Sequence, residues 1–250
     1  MVQIADMKIY TAGMQKSIAD KLWFMDYLDP SVTDIYDFGC ADGTLLRSIG
    51  KMKPSLILSG YDKSLEMIDM AFDEDHIAVY YNKPLPKVMP HTLLNASSVF
   101  HEIHSYGSPQ SIKEDYESIF NVGAEYIAIR DMFYSESMPM YTNPFHLRFV
   151  ESISDNKMIR EFERIHGSIG LSKNFLHYLL KYRYVENWDR EVRENYLPYS
   201  IEQFIRNLPN TYEVTYLHTY TLPFLRQKIR EDFGFWIDYP THAKILLKHK

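Results

Sequence analysis

The sequence has one cysteine among its 250 residues, so it cannot form an internal disulfide bond. It also lacks an uninterrupted apolar run of about 18 residues, the length that crosses a bilayer as a helix. The first residues lack the basic and then apolar pattern of a secretory signal peptide. Since no feature points to secretion or to a membrane, we expect a cytoplasmic protein without a membrane partner.

Several catalytic signatures are missing as well. The sequence contains no P-loop, no G-x-S-x-G nucleophile elbow and no protein-kinase signature. His101 and His104 are three positions apart, whereas the H-E-x-x-H motif of zinc proteases places its histidines four apart. The other histidines form no ligand pattern, and one cysteine is too few for a structural zinc site. We therefore expect no metal.

Excess negative charge is confined to the first half of the chain. The net charge is −6, with 10 basic and 18 acidic side chains in residues 1–129 and 17 and 15 in the remainder. Nucleic-acid affinity depends largely on neutralising phosphates, so the acidic half argues against a surface built for a polyanion. A local basic patch in the second half keeps a nucleic-acid partner open, and a mixed solvated surface is the simpler interpretation.

The rest of the composition, 46% hydrophobic and 24% charged, is that of a globular protein. Between residues 33 and 130, short apolar runs alternate with helical patterns, which is typical of parallel strands joined by crossover helices. The predicted strands are 33–38, 56–62, 77–81, 92–99, 125–130, 212–220 and 243–248. We therefore predict an α/β protein with a doubly wound, mostly parallel seven-stranded sheet.

No repeat or linker divides the chain, so we predict a single domain over residues 1–250. Its first 32 residues form a helical flank, because apolar residues recur at helical spacing from Met14 until Asp29-Pro30 ends the pattern. This helix either packs on the sheet or, with its end near Tyr10 and Met14, closes over a ligand.

Residues 140–200 differ, because helical patterns follow one another there without a strand. These patterns cover 145–153, 158–166, 174–184 and 188–196. About sixty residues exceed the usual 2–6 of such a connection. We predict a helical insertion after the fifth strand, either a lid or substrate wall or an extension of the core. Residues 201–250 then supply a helix and the last strand pair.

The most informative segment is a glycine-containing turn after the first strand, Asp37-Phe-Gly-Cys-Ala-Asp-Gly43. Small residues at 39, 41 and 43 let the backbone turn sharply and approach a ligand, and the following helix offers unpaired N–H groups. A dinucleotide fingerprint needs its third glycine at position 44, where threonine stands. This disfavours a nicotinamide-dependent oxidoreductase and favours a ligand without a pyrophosphate.

These residues resemble the first two motifs of the class I S-adenosylmethionine-dependent methyltransferases. Asp37, Gly39, Ala41 and Gly43 match an acidic residue before a G-x-G-x-G-like turn. Asp62 matches the acidic residue that closes the next strand, 19 residues beyond Gly43. The resemblance covers about residues 33–135, and the late strand pair more loosely. It implies a Rossmann-like methyltransferase fold with S-adenosylmethionine as cofactor.

The resemblance also places residues at the cofactor, in a cofactor-binding half over residues 33–139. Asp62 would accept hydrogen bonds from both ribose hydroxyls, and Asp37 would hold the turn or reach the ammonium group through water. Tyr81 would stack on the adenine and Asn82 would read its amino edge. The other positions expected at the cofactor are Cys40, Lys63, Ser97 and Ser98.

The reactive methyl group would lie over the end of the fourth strand, which precedes His101, Glu102 and His104. A histidine there suits proton removal from the attacking atom, and Glu102 would orient the ring or bind a cationic substrate. The same stretch can equally be a helix start, and methyl transfer can proceed on alignment alone. Arg130 is expected at the substrate, with Tyr10 and Met14.

Two absences narrow the acceptor. The N/D-P-P-Y/F motif of enzymes that methylate base amines or glutamine amides is missing after the fourth strand, and so is the cysteine of cytosine-C5 enzymes. We therefore expect methyl transfer to an oxygen or nitrogen atom of an unidentified small molecule. The alternatives are a catalytically silent cofactor-binding or regulatory protein of this fold, and a nucleic-acid methyltransferase. The oligomeric state stays open.

Overall fold

The computed structural model describes residues 17–74, 77–182 and 185–250. Tyr10 and Met14, which were expected near the substrate, lie outside these ranges. The described strands are β1 Asp34–Phe38, β2 Ile57–Tyr61, β3 Ala78–Tyr81, β4 Thr92–Ser97, β5 Tyr126–Met132, β6 Tyr212–Tyr220 and β7 His242–His249. Each coincides with a predicted strand to within two residues at either end.

All seven strands belong to one sheet, in the order β3-β2-β1-β4-β5-β7-β6. Strands β1 to β5 are parallel to one another, whereas β7 is antiparallel to both β5 and β6. The order reverses between β1 and β4, and ligands of open α/β sheets bind at such a switch point. The predicted fold class, a mostly parallel seven-stranded sheet, is confirmed.

Helices follow most of the strands. They are α1 Ile18–Lys21, α2 Thr44–Met52, α3 Leu65–Glu74, α4 Phe100–Tyr106, α5 Pro109–Phe120, α6 Pro144–Ile153, α7 Asn156–His166, α8 Ser172–Tyr182, α9 Trp188–Glu191, α10 Ile201–Arg206 and α11 Pro223–Phe233. Two 3₁₀ helices cover Leu22–Tyr27 and Val185–Asn187. Within the described ranges, none of the helices has both the length and the apolar character needed to cross a membrane.

The two faces of the sheet are buried in separate cores, because successive residues of a strand point to opposite sides. Ile35 of β1 packs in one core with α2, α3 and the first 3₁₀ helix. Its neighbour Tyr36 packs in the other core with α4, α5 and α10. Both side chains are fully buried. Helices therefore cover both faces, as a doubly wound sheet requires.

The helices between residues 140 and 200 have a core of their own, which they share with α11. Phe162, Tyr178 and Phe233 are fully or almost fully buried there. By contrast, Tyr141 and Phe145 of the same region are exposed. The aromatic residues of the predicted insertion thus form mainly a local core.

The N-terminal flank differs from the single long helix predicted for it. After the four residues of α1, the chain continues as a 3₁₀ helix. The Trp23 ring lies 5.4 Å from that of Tyr216 on β6, and the Tyr27 ring lies 4.3 Å from it. These ring contacts pack the 3₁₀ helix against the edge strand β6.

Candidate active site

A cavity of about 1480 Å³ opens at the carboxyl ends of β1, β2, β4 and β5. It is lined by residues that follow these strands, by α1, and by most of residues 185–196, which we call the wall segment. Ligand pockets commonly measure about 300–1,000 Å³, so this cavity has room for two molecules side by side.

The turn after β1 forms one edge of this cavity. Its backbone is left-handed at Gly39, Ala41 and Gly43, with φ of 83°, 47° and 74°. A Cβ atom at Gly39 would lie 2.7 Å from Cγ2 of Val99, so a larger residue does not fit there. Ala41 is held in its unusual conformation by an N–H that donates to Oδ2 of Asp62 at 3.0 Å. The turn therefore presents bare backbone to the cavity.

Asp62 lies at the end of β2 and also lines the cavity. Its Oδ2 accepts from Ala41, and its Oδ1 accepts the N–H of Ser64 at 2.9 Å. Burial raises the pKa of Asp62, and these two hydrogen bonds only partly offset that effect. Each oxygen of a carboxylate has two lone pairs, so Asp62 can still accept hydrogen bonds from a ligand. Its predicted contact with a ribose stays a prediction.

Asp37 is a buried carboxylate at the same edge. Its Oδ1 accepts from Nδ2 of Asn95 at 2.6 Å, and Ser97 donates in turn to Oδ1 of Asn95 at 3.0 Å. Burial raises the pKa of Asp37 to about 6, although the bond from Asn95 and the charge of Lys21 act against it. A cation bound in the cavity would stabilise the charged form of Asp37.

At the end of β5, Asp131 meets His101 of α4. Its Oδ1 lies 2.7 Å from Nδ1 of His101, and its Oδ2 accepts the N–H of Phe100 at 2.7 Å. His101 lines the cavity and is 6% exposed. Burial alone would lower the pKa of His101, but the charge of Asp131 and its hydrogen bond outweigh burial and raise it.

The tautomer of His101 follows from this contact. The pKa of Asp131 is lowered, since the charge of His101 and its hydrogen bond outweigh the effect of burial, so Asp131 is a carboxylate and can only accept. Nδ1 of His101 must then carry a proton. Within the described residues Nε2 of His101 has no hydrogen-bond partner. It is therefore available to accept a proton in the cavity.

Several other predicted residues are brought to the same cavity. Burial raises the pKa of Glu102. The charge of His101 opposes this upward shift, and the like charge of Glu194 adds to it. Burial likewise raises the pKa of the Cys40 thiol, so this cysteine is not a reactive thiolate. The predicted cofactor and catalytic residues that line the cavity are Asp37, Gly39, Cys40, Ala41, Asp62, Lys63, Ser97, Ser98, His101 and Glu102.

Four predicted residues of the described ranges do not line the cavity: Gly43, Tyr81, Asn82 and His104. Nε2 of His104 lies 3.1 Å from the Tyr116 hydroxyl of α5, and its ring packs edge-on against Tyr199, so the side chain turns toward the core. Tyr81 is half-buried and Asn82 is exposed. Tyr81 is the last residue of the edge strand β3 and Asn82 follows it, and β2 separates this strand from the switch point. The structure thus places these side chains outside the cavity lining, and their predicted roles stay predictions.

Arg130 reaches the cavity as predicted but is already paired. Its Nε and Nη2 donate to Oδ2 of Asp20 at 2.9 and 2.8 Å. Lys244 lies 2.7 Å from Oδ1 of Asp20, and the Tyr220 hydroxyl donates to Oδ2 of Asp20 at 2.6 Å. Burial would raise the pKa of Asp20, but the charges of Arg130 and Lys244 outweigh this effect and lower the pKa. This network ties α1 to the sheet beside the cavity.

The wall segment contains a helix that is shorter than predicted. The pattern predicts a helix over 188–196, but α9 ends at Glu191. The carbonyl groups of Glu191 and Glu194 accept hydrogen bonds from Nζ of the buried Lys181. The chain beyond α9 then brings Tyr196 to His101, with ring centroids 5.5 Å apart at 84°.

The sequence analysis missed several of these contributors. Asp131 follows Arg130 directly at the end of a buried strand, and that position is a signal that could have paired it with His101. Asp20 and Lys181 carry no such signal, since a charged residue on a helix is usually solvated.

Comparison with known proteins places the fold. No protein-family model matches the chain, and no curated protein is detectably related to it in sequence. Among solved structures, the magnesium protoporphyrin IX methyltransferase of Synechocystis PCC 6803 with bound S-adenosylhomocysteine (SAH) aligns with a TM-score of 0.53 and 10% identity, over 100% of this chain and 89% of that one.

Two further structures align similarly. The MccD protein does so with a TM-score of 0.51 and 12% identity, over 96% of this chain and 99% of that one. A SAM-dependent methyltransferase from Anabaena variabilis does so with a TM-score of 0.50 and 14% identity, over 93% and 83%. Identities this low establish the fold only. The chain has the fold of the class I S-adenosylmethionine-dependent methyltransferases.

Proposed function

We propose that this protein is a methyltransferase that binds S-adenosylmethionine and methylates an oxygen or nitrogen atom of a small molecule. One observation carries the proposal. One cavity lies at the switch point of the sheet, beside the ends of four neighbouring parallel strands. It is bordered by the left-handed turn, by two carboxylates and by a histidine paired with an aspartate. The shared fold agrees with it, since solved methyltransferases align with nearly the whole chain.

The cofactor edge suits a cationic nucleoside. Gly39 and Ala41 leave the backbone open to close approach, and Asp62 retains lone pairs for ribose hydroxyls. The raised pKa of Asp37, about 6 because of burial, means that a positive charge nearby is favourable. When bound, S-adenosylmethionine supplies an electrophilic methyl group on a positively charged sulfur.

His101 is the proposed base, which takes a proton from the molecule that receives the methyl group. Asp131 holds Nδ1–H of His101 at 2.7 Å, which leaves Nε2 facing the attacking hydroxyl or amine. The Tyr196 ring packs against the imidazole and limits the access of water. This pair therefore serves to take one proton from the nucleophile as the new bond forms.

Charge favours a small acceptor over a nucleic acid. Acidic side chains outnumber basic ones in the cavity lining, and its basic Arg130 and Lys244 are paired with Asp20. A polyanion would meet repulsion here rather than the neutralisation it needs.

The test is calorimetric titration with SAH and with its 2′-deoxy analogue, on wild type and Asp62→Ala. If Asp62 binds the ribose, wild type should bind the analogue roughly tenfold more weakly, a cost of about 1.4 kcal/mol. Asp62→Ala should bind both ligands weakly and equally, because the lost contact is shared. Asp115→Ala, which removes another cavity carboxylate, is the matched control. Absence of SAH binding by wild type would refute the proposed function.

A further inference from the structure

The path of the wall segment is held by basic side chains from the neighbouring helices. Lys181 of α8 is 0% exposed, and its Nζ donates to the carbonyl oxygens of Glu191 and Glu194. Nε2 of His166 lies 2.7 Å from the carbonyl oxygen of Val192. These contacts are made to main-chain atoms, so they fix the course of the backbone.

The third basic side chain accepts rather than donates. Nε2 of His177 accepts the N–H of Tyr196 at 3.1 Å. Burial holds the pKa of His177 well below its usual value, and the charge of Lys181 adds to this effect. A neutral His177 can accept that N–H, so the two side chains act on the segment together.

Lys181 also contacts the side chain that faces the proposed base. Its Nζ lies 3.9 Å from the centroid of the Tyr196 ring, within the range of a cation–π interaction. Tyr196 in turn packs edge-to-face on His101, with ring centroids 5.5 Å apart. Lys181 thus acts on the cavity through Tyr196 without lining the cavity itself.

The carboxylates around Lys181 are committed to other partners. The Tyr196 hydroxyl donates to Glu191, and Arg190 lies 3.0 Å from Glu194, which also accepts from Tyr106. Lys181 therefore contacts the carbonyls of this segment and a ring, and the charges of Glu191 and Glu194 partly offset the burial that lowers the pKa of Lys181 to about 7. A buried amino group that donates to two carbonyls is costly to lose, because both carbonyls would then be left without this donor.

We propose that Lys181 is a positioning residue that fixes the wall segment, and through Tyr196 the environment of His101, for the acceptor side of the cavity. The acceptor-side assignment rests on the proposed function. The positioning itself can be tested without knowledge of the acceptor, because it predicts the mobility of residues 191–196.

The experiment measures amide hydrogen exchange of the wall segment in Lys181→Met, Lys181→Arg and Lys173→Met. Lys173 is the matched control, since it lies on the same helix and its Nζ is 4.9 Å from the Tyr134 ring, whereas that of Lys181 donates to the wall-segment carbonyls. Lys181→Met should exchange residues 191–196 about tenfold faster or more, whereas Lys173→Met should stay within about threefold of wild type. Lys181→Arg, which keeps the donors, should lie between them.

A second readout reports on His101. The ring current of Tyr196 displaces the Cε1–H resonance of His101, so Lys181→Met should move this resonance and Lys173→Met should not. SAH affinity should stay within about threefold in all three variants. If wild type fails to bind SAH, the proposed function fails while the exchange result still decides the positioning role.

Unchanged exchange and an unchanged His101 resonance in Lys181→Met would overturn the inference. Should Lys181→Met not fold, wild type labelled with ¹⁵N at lysine Nζ decides. Lys181 should then give a protected Nζ–H signal that is missing from Lys181→Arg. Lack of any protected lysine signal would equally overturn it.

Discussion

The two sides of the cavity are built in different ways. On the cofactor side, the turn after β1 and Asp62 after β2 are joined by a direct hydrogen bond. It runs from the N–H of Ala41 to Asp62, 21 positions along the chain. On the acceptor side, the wall segment continues beyond α9 without a further helix or strand as far as Tyr196, and that stretch is held by Lys181, His166 and His177. The shape of the cofactor side depends on left-handed backbone conformation. The path of the acceptor side depends on side chains that hydrogen-bond its main chain.

This difference has a consequence for how each side can vary. A turn that depends on left-handed residues tolerates few substitutions at those positions. A segment that is held through its main chain tolerates substitution of most of its own side chains. Its backbone keeps the same course as long as the residues that hydrogen-bond it are retained.

The largest effect is expected from Gly39→Ala on the cofactor side. The substitution places a Cβ 2.7 Å from Val99 Cγ2 and forces alanine to φ of 83°, so SAH should bind roughly a hundredfold more weakly, a cost of about 2.7 kcal/mol. Gly123→Ala is the control, because its φ is 86° but its Cβ would meet nothing within 4 Å.

Both alanine variants should lose about 1–2 kcal/mol of unfolding free energy from the left-handed backbone. Only Gly39→Ala should lose SAH binding in calorimetry. Equal losses of binding in the two variants would show that the shape of the turn does not matter.

A smaller effect is expected where the two sides meet, at Asp131→Asn. The substitution removes the charge that raises the pKa of His101 and leaves burial, which lowers it. In an NMR titration the pKa of His101 should fall below about 6.5, its ordinary value. Asp115→Asn, another cavity carboxylate, should leave it unchanged.

The sign of the stability effect follows from the same shift. A histidine with a raised folded-state pKa stabilises the fold below its unfolded pKa, and that contribution is lost as pH rises through the folded value. Urea unfolding should therefore show a larger deficit of Asp131→Asn at pH 5.5 than at pH 8.5. A deficit that grows with pH would contradict the ion pair.

The smallest effect is expected from Tyr81→Ala and Asn82→Ala. Because neither residue lines the cavity, SAH affinity should change by less than about threefold in each. Adenine contacts of the kind that the methyltransferase resemblance implies would instead weaken binding about tenfold. The calorimetric titration used for Asp62→Ala provides the comparison.

Much of the fold could be predicted from the sequence, because it depends on local patterns. Buried parallel strands read as apolar runs, and each lies where it was predicted. The pattern was less informative where tertiary contacts overrule it. The N-terminal helix continues as a 3₁₀ helix where its rings meet Tyr216, and α9 ends at Glu191, where Lys181 donates to the carbonyl group.

The candidate site shows the same division. The turn and Asp62 are recognisable because their spacing is short and their residue types are restricted. His104 was expected beside His101, but a bond to Tyr116 turns it away. Asp131 was missed as its partner, because that pairing spans 30 positions.

The sequence alone determined the sheet, the turn and the acidic strand ends, since backbone conformation and apolar periodicity act over a few residues. Only the tertiary structure decided which histidine faces the cavity, which cations are already paired and what holds the wall segment. Those outcomes depend on side chains that meet across tens of residues, and the energy of such a contact exists only when both partners are in place.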